Sequence, residues 1–158
     1  LRKISAQKLS EQFSKQIFAY TTMTDDIERI GSHALCINKL AFQKADRRIL
    51  FSFPGERELN EIITLVSHNF QDAVSMIDKP DIRKNTEVVE REELVDVKVK
   101  ESRDKHLERF HKRLCDPDAG PIFVEMLLHL ERISDLCNNL SEYMCEIQDS
   151  RRLKQSND

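Results

Sequence analysis

The stretch from residue 56 to residue 77, ERELNEIITLVSHNFQDAVSMI, decides the fold class. Its apolar residues recur at steps of three and four, which is the spacing of one face of an α-helix. They are Leu59, Ile62, Ile63, Val66, Phe70, Ala73, Val74 and Ile77. Pro54 and Gly55 precede the stretch, and Pro80 ends it because a proline disfavours helical conformation in the residue before it. The sequence therefore predicts an amphipathic helix over 56–77.

Three further segments are predicted to be helical: about 5–45, 81–114, and 121 to about 150. The first has an apolar stripe of Phe13, Ile17, Tyr20, Ile27, Ile30, Ala34, Ile37 and Ala41, and the last has one of Phe123, Met126, Leu127, Leu130, Ile133, Cys137, Leu140, Met144 and Ile147. Residues 94–100 alternate apolar and polar as a strand does, but strong helix formers flank them on both sides. We therefore expect one long helix over 81–114.

Composition supports an all-α protein and excludes several functions. The 158 residues include only three Gly and four Pro, and 34% of them are charged, which is typical of long helices and not of a β-sandwich. The net charge of −3 excludes non-specific nucleic-acid binding as the main activity, since that requires a concentrated basic surface. Short connections between the four segments predict an antiparallel, up-down helical bundle.

An internal repeat relates the first and last helices. Residues 27–32 are IERIGS and residues 130–135 are LERISD, and Met23 and Met126 lie at the same offset of 103 residues. Both motifs lie on amphipathic segments, so the repeat indicates a duplicated structural unit.

These motifs resemble the PhoU family, whose repeats are three-helix bundles with a Leu-Glu-Arg-Ile-Gly-Asp-type motif on the third helix. The resemblance implies a PhoU-like helical domain over 1–149. Residues 1–50 correspond to the third helix of a truncated first repeat, and 56–149 correspond to a complete second repeat. The chain begins at Leu1 and not at methionine, so we expect a fragment of a longer polypeptide. Residues 150–158 are expected to be a disordered tail.

The resemblance also implies a function. PhoU-like domains regulate phosphate uptake, either as free-standing proteins or fused behind the membrane part of bacterial sodium/phosphate cotransporter homologues. A fragment cut within a repeat favours the fused form, on the cytoplasmic side of the inner membrane. It would act without catalysis, by docking on the transmembrane phosphate-transport domain of the same chain. The alternative is a free-standing regulator that binds a transporter ATPase or a sensor kinase.

The same resemblance suggests a metal site. In the family, Glu/Asp-x-x-x-Asp pairs on two helices hold metal clusters, and residues four apart lie on one helix face. The matching positions are Glu92 and Asp96 on the third segment and Glu131 and Asp135 on the fourth. Fe, Zn, Mn or Mg are the metals expected with such ligands. The first-repeat motif offers only Glu28 and Ser32, a degenerate site.

Other interpretations of these residues remain open. The carboxylates could simply pair with Arg91 and Arg132 on a solvated surface. Glu108 and His111 have the Glu-x-x-His spacing of di-iron carboxylate bundles, which would make the chain a di-metal enzyme. The chain could also be a metal-free assembly module that forms a homodimer through its charged third helix.

Overall fold

The computed structural model describes the backbone of residues 2–155 and the side chains of residues 13–148. Within residues 2–155 there are four α-helices and no strand: α1 (Arg2–Asp46), α2 (Phe53–Asp78), α3 (Ile82–His111) and α4 (Ala119–Gln155). The predicted all-α class is confirmed, and residues 94–100 lie inside α3. None of the helices in this described part is long and apolar enough to cross a membrane.

The sequence prediction differs from the structure at the carboxyl end of the chain. The backbone is helical through Gln155, where a disordered tail was expected from residue 150. The last part of that predicted tail, residues 156–158, lies outside the described residues.

Local side-chain chemistry explains where the helices begin and end. The Ser52 hydroxyl accepts a hydrogen bond from the Gly55 amide at the start of α2, and the Asp81 carboxylate accepts one from the Arg83 amide at the start of α3. After α1 and α3 the chain turns through Arg48 and Arg113, whose φ angles are 53° and 56°. This left-handed conformation ends each helix.

α4 is the centre of the bundle. Within the described residues it packs along each of the other three helices, whereas the backbone of α1 packs along α4 and along neither α2 nor α3. The contacts between His33 and His129, whose Nδ1 atoms are 2.9 Å apart, and between Arg47 and Asp118 show that α1 and α4 are antiparallel. The four helices therefore alternate in direction, as predicted.

The predicted apolar stripes are buried to very different extents. All nine predicted residues of α4 are buried. On α2 the stripe is split, because Leu59, Ile62, Val66 and Ala73 are buried while Ile63, Phe70, Val74 and Ile77 are exposed. On α1 the predicted stripe is wrong as a core face: the helix buries Ala19, Met23, Ile30 and Leu40, and exposes Phe13, Ile17, Tyr20, Ile27, Ala34 and Ala41. Packing against a single neighbour buries only one narrow side of a helix.

Residues that the internal repeat relates have similar environments. Met23 and Met126 are 4% and 5% exposed, and Ile30 and Ile133 are 7% and 6% exposed. The equivalence fails at the next polar position, because Ser32 is exposed while Asp135 is half-buried against α3.

A buried polar network joins α2, α3 and α4. The Asn69 amide, which is fully buried, donates to the Ser134 hydroxyl at 3.0 Å and accepts from the Arg91 guanidinium at 3.1 Å. Arg91 also donates to Asp72 at 2.6 Å. Buried polar groups are costly unless they are hydrogen-bonded, so this network requires a specific alignment of the three helices.

We expect Asn69→Ala to lower the free energy of unfolding by about 1–3 kcal/mol. The substitution removes the hydrogen bond to the buried Ser134 hydroxyl and the one from the Arg91 guanidinium. Urea unfolding followed by circular dichroism measures this. The control is Asn60→Ala, at an exposed position of the same helix, which should change stability by less than about 0.5 kcal/mol. Equal losses in the two variants would contradict a structural role for the network.

Candidate metal centre

An acidic cluster lies where α3 crosses α4. Glu92 and Asp96 are one helical turn apart on α3, and Asp135 faces them from α4. One carboxylate oxygen from each residue lies within 4.8 Å of the other two. The structure therefore brings together three of the four residues that the sequence motif suggested as ligands.

The cluster makes ionisation of its members unfavourable. Burial raises the pKa of Glu92 to about 6, and the nearby carboxylates of Asp96 and Asp135 contribute in the same direction. The pKa of Asp96 is also raised, first by burial and then by Asp135, although Arg132 and Arg103 oppose the shift. The negative charge at this point is thus only partly compensated by the protein.

Glu131 does not belong to this group of carboxylates. One of its oxygens lies 3.5 Å from an Arg103 guanidinium nitrogen, so it forms an ion pair with a cation of α3. Burial nevertheless raises the pKa of Glu131, with Arg103 acting against that shift. The predicted fourth ligand is therefore engaged in an interhelical ion pair one turn before Asp135.

The degenerate site of the first repeat has a different environment. Glu28 and Ser32 are both exposed on α1. Among the residues that the structure describes, no group of three possible metal ligands includes either of them. The arrangement at α3 and α4 needs a facing helix, and the Glu28 side of α1 has none in the described part of the chain.

Of three further residues on these helices, Arg132 is predicted from the sequence as an ion-pair partner of the carboxylates, whereas Arg103 and Asn138 are not predicted. Arg132 donates to Asp135 at 3.0 Å, and Arg103 faces Glu131. Asn138 follows Asp135 by almost one turn, and its side-chain oxygen is buried with no hydrogen-bond partner among the described residues. The signal for Asn138 in the sequence is its spacing of three residues from Asp135, which places both side chains on one side of the helix.

Comparison with known proteins identifies the family. The PhoU domain matches residues 59–144, which is more than half of the chain. The chain belongs to the PhoU domain family. A search of curated proteins and a search of solved structures give no match. The PhoU match contains Glu92, Asp96, Glu131 and Asp135, but neither Glu28 nor Ser32.

The donor atoms of the acidic cluster suit a hard cation. Three carboxylates supply oxygen ligands alone, which suits Mg²⁺, Mn²⁺ or iron better than the nitrogen- and sulfur-rich sites typical of Zn²⁺. Asn138 lies three residues after Asp135, on the same side of α4, and its buried side-chain oxygen has no hydrogen-bond partner among the described residues. The geometry is thus compatible with a metal. A cation there would favour the ionised form of Glu92, whose pKa is raised first by burial and then by the carboxylates of Asp96 and Asp135.

The Glu-x-x-His motif of the di-iron alternative does not belong to a cluster of possible ligands in the described residues. Glu108 and His111 are exposed, and Glu108 lies 3.6 Å from Lys112. Among the described residues, the one group of three or more possible ligands is Glu92, Asp96 and Asp135.

We expect Glu92→Gln to stabilise the metal-free domain at pH 7, on the order of 1 kcal/mol after allowance for solvent screening. The pKa of Glu92 is raised in the folded chain from 4.5 to about 6. The stabilisation that protonated Glu92 gives the folded state is therefore fully present below pH 4.5, the pKa in the unfolded chain, and is lost as pH rises through about 6.

Thermal unfolding in a chelating buffer at pH 5 and pH 7 tests this expectation. The variant should gain stability mainly at pH 7, and Glu90→Gln, at an exposed position on the same helix, should change little at either pH. A loss of stability at pH 7 in Glu92→Gln would contradict the electrostatic interpretation.

Proposed function

We propose that this PhoU domain regulates a sodium-dependent phosphate transporter by docking on its transmembrane domain from the cytoplasmic side of the inner membrane. The PhoU match indicates a role in the regulation of phosphate uptake. The fused transporter context rests on the resemblance of the first helix to the last helix of a repeat. The docking mechanism requires a helical surface of defined shape and no covalent chemistry.

The observation that carries the metal-assisted part of this proposal is the group of three carboxylates between α3 and α4. A bound cation would neutralise the negative charge that Glu92, Asp96 and Asp135 bring together. These residues would hold it, with Asn138 as a further oxygen donor. Because Asp135 lies on α4 and the other two carboxylates lie on α3, occupancy would stiffen the contact between these helices.

Electrostatics within the domain also support coupling between metal and helix packing. Arg132 and Arg103 lie beside the carboxylates and make ion pairs with Asp135 and Glu131. A cation at the cluster competes with Arg132 for the Asp135 carboxylate. Metal binding would therefore redistribute ion pairs on this face, which is a physical route from the site to a docking surface.

We expect the double variant Glu92→Gln with Asp96→Asn to lose metal binding while it keeps its helical content. Two neutral amides replace two anionic ligands in this variant, and hard cations prefer the carboxylates. Isothermal titration with Mn²⁺, Mg²⁺ and Fe²⁺ measures affinity, and elemental analysis measures the metal that purifies with the protein. The matched control is Asp104→Asn with Glu108→Gln, a pair at the same spacing that is exposed on the same helix.

The affinity of the parent chain should also fall as pH is lowered below about 6, where Glu92 becomes protonated. Equal metal content in the two double variants would refute the site. It would leave the docking proposal to the following test, which does not depend on metal.

The docking proposal predicts that an antibody to the domain detects a polypeptide much heavier than 18.5 kDa in the membrane fraction of native cells. This is the mass expected when transporter and PhoU domain are one chain. A band only slightly heavier than the domain, confined to the soluble fraction, would contradict the fused form and favour the free-standing regulator. Phosphate uptake by membrane vesicles with and without the domain then measures the direction of regulation.

A further inference from the structure

A pair of histidines joins α1 to α4. His33 of α1 and His129 of α4 are both half-buried, and their Nδ1 atoms lie 2.9 Å apart. The ring centroids are 5.1 Å apart and the ring planes are tilted by 47°. One proton fits between the two nitrogens, because one imidazole donates its Nδ1–H and the other accepts with its Nδ1 lone pair. Both Nδ1 atoms are therefore directed at one point between the helices.

The spacing of the two nitrogens is close to that of two ligands on one metal ion. Zn²⁺ binds histidine nitrogen at about 2.0–2.1 Å, so two nitrogens of a tetrahedral site lie about 3.3–3.4 Å apart. The Nδ1 atoms of His33 and His129 reach that spacing by separating about 0.5 Å further. Small rotations of the two side chains provide this shift without movement of the backbone.

The surroundings keep His33 in the neutral form, which is the form of imidazole that binds metals. Burial lowers the pKa of His33, and His129, Arg29 and Arg132 act in the same direction while Asp135 opposes them. Each of the two arginines pairs with an aspartate of its own helix, at 3.2 Å for Arg29 and 3.0 Å for Arg132. Their positive charge near the imidazoles is therefore partly compensated.

Two further side chains of ligand type lie beside the pair. Cys36 follows His33 by three residues and Glu125 precedes His129 by four, which keeps each pair on one side of its helix. Because α1 and α4 are antiparallel, Cys36 and Glu125 are displaced from the histidines in the same direction, by about 4.5 Å and 6 Å along the axes. In the described arrangement no third ligand atom lies within 4.8 Å of both imidazoles. Both side chains therefore approach the metal position by rotation.

We propose that His33 and His129 bind one Zn²⁺ ion between α1 and α4. Cys36 and Glu125 complete its four-coordinate shell. Nitrogen and sulfur donors select zinc over Mg²⁺ and Mn²⁺, whereas the acidic cluster offers oxygen alone, so the two sites prefer different metals. Within the described residues α1 packs along α4 and along no other helix. The zinc ion thus fixes a helix that has one neighbour, whether or not the domain docks on a transporter.

Isothermal titration of the whole chain with Zn²⁺ tests the site, with helical content measured alongside by circular dichroism. His33→Asn and His129→Asn should each weaken binding at least about tenfold. Asparagine keeps a hydrogen-bonding group near the place of Nδ1, so the helix contact survives, but its amide is not a typical zinc ligand. The matched control is His68→Asn, at an exposed position on α2, which should bind Zn²⁺ as the parent does.

Co²⁺ in place of Zn²⁺ identifies the other ligands. A thiolate bound to Co²⁺ gives a charge-transfer absorption, which Cys36→Ser should remove. Cys115→Ser, at a half-buried position between α3 and α4, should retain it. Glu125→Gln should weaken Zn²⁺ binding about tenfold, because a neutral amide replaces an anionic ligand.

Unchanged Zn²⁺ affinity in both histidine variants would overturn the proposal and leave His33 and His129 as a hydrogen-bonded pair only. The double variant Glu92→Gln with Asp96→Asn should keep the zinc site. A loss there as large as in the histidine variants would assign the zinc to the acidic cluster and would also overturn the proposal. A Co²⁺ spectrum unaffected by Cys36→Ser would refute the thiolate ligand.

Discussion

The apolar side chains of α4 are buried by three different helices, and this burial determines where each of those helices lies. Residues such as Phe123, Leu127 and Leu140 are at most 1% exposed, and the buried residues of α4 point in several directions around its axis. A helix that is apolar on most sides is stable in water only when neighbours enclose it. The gain from removing apolar surface from water, about 25 cal/mol per Å², is the driving force for that enclosure.

The position of α3 follows from this constraint and brings acidic groups together. α3 contributes few apolar side chains to the core, among them Val88, Val95 and Val99, and much of its remaining surface is charged. Ion pairs such as Arg91 with Asp72 and Arg109 with Glu58 connect it to α2. Because these valines are buried while α3 packs against both α2 and α4, Glu92 and Asp96 lie at the edge of the α3–α4 interface, opposite Asp135. The repulsion between these carboxylates does not prevent folding, because burial of the apolar side chains of α4 provides most of the stability.

α1 shows the opposite situation, in which apolar surface exceeds the available neighbours. α4 covers one side of α1, and the other side joins the exposed stripe of α2 along one groove. The described protomer leaves this apolar surface exposed to water, at a free-energy cost of about 25 cal/mol per Å². The acidic cluster and this groove lie on different parts of the bundle, since one is built from α3 and α4 and the other from α1, α2 and α4.

The sequence by itself determined the all-α class, the approximate bounds of the four helices and the core face of α4, because caps, prolines and apolar periodicity act within a few residues of one another. The resemblance to the PhoU family suggested all three clustered carboxylates, and the spacing of four residues placed Glu92 and Asp96 on one face of α3.

The tertiary structure alone decided which apolar residues of α1 and α2 are buried and that Glu131 pairs with Arg103. It also decided that no helix in the described part of the chain faces Glu28 and Ser32. These outcomes depend on which helices become neighbours and at what rotation. Periodicity shows that a helix has an apolar side, but only the packing of distant segments determines how much of that side is covered.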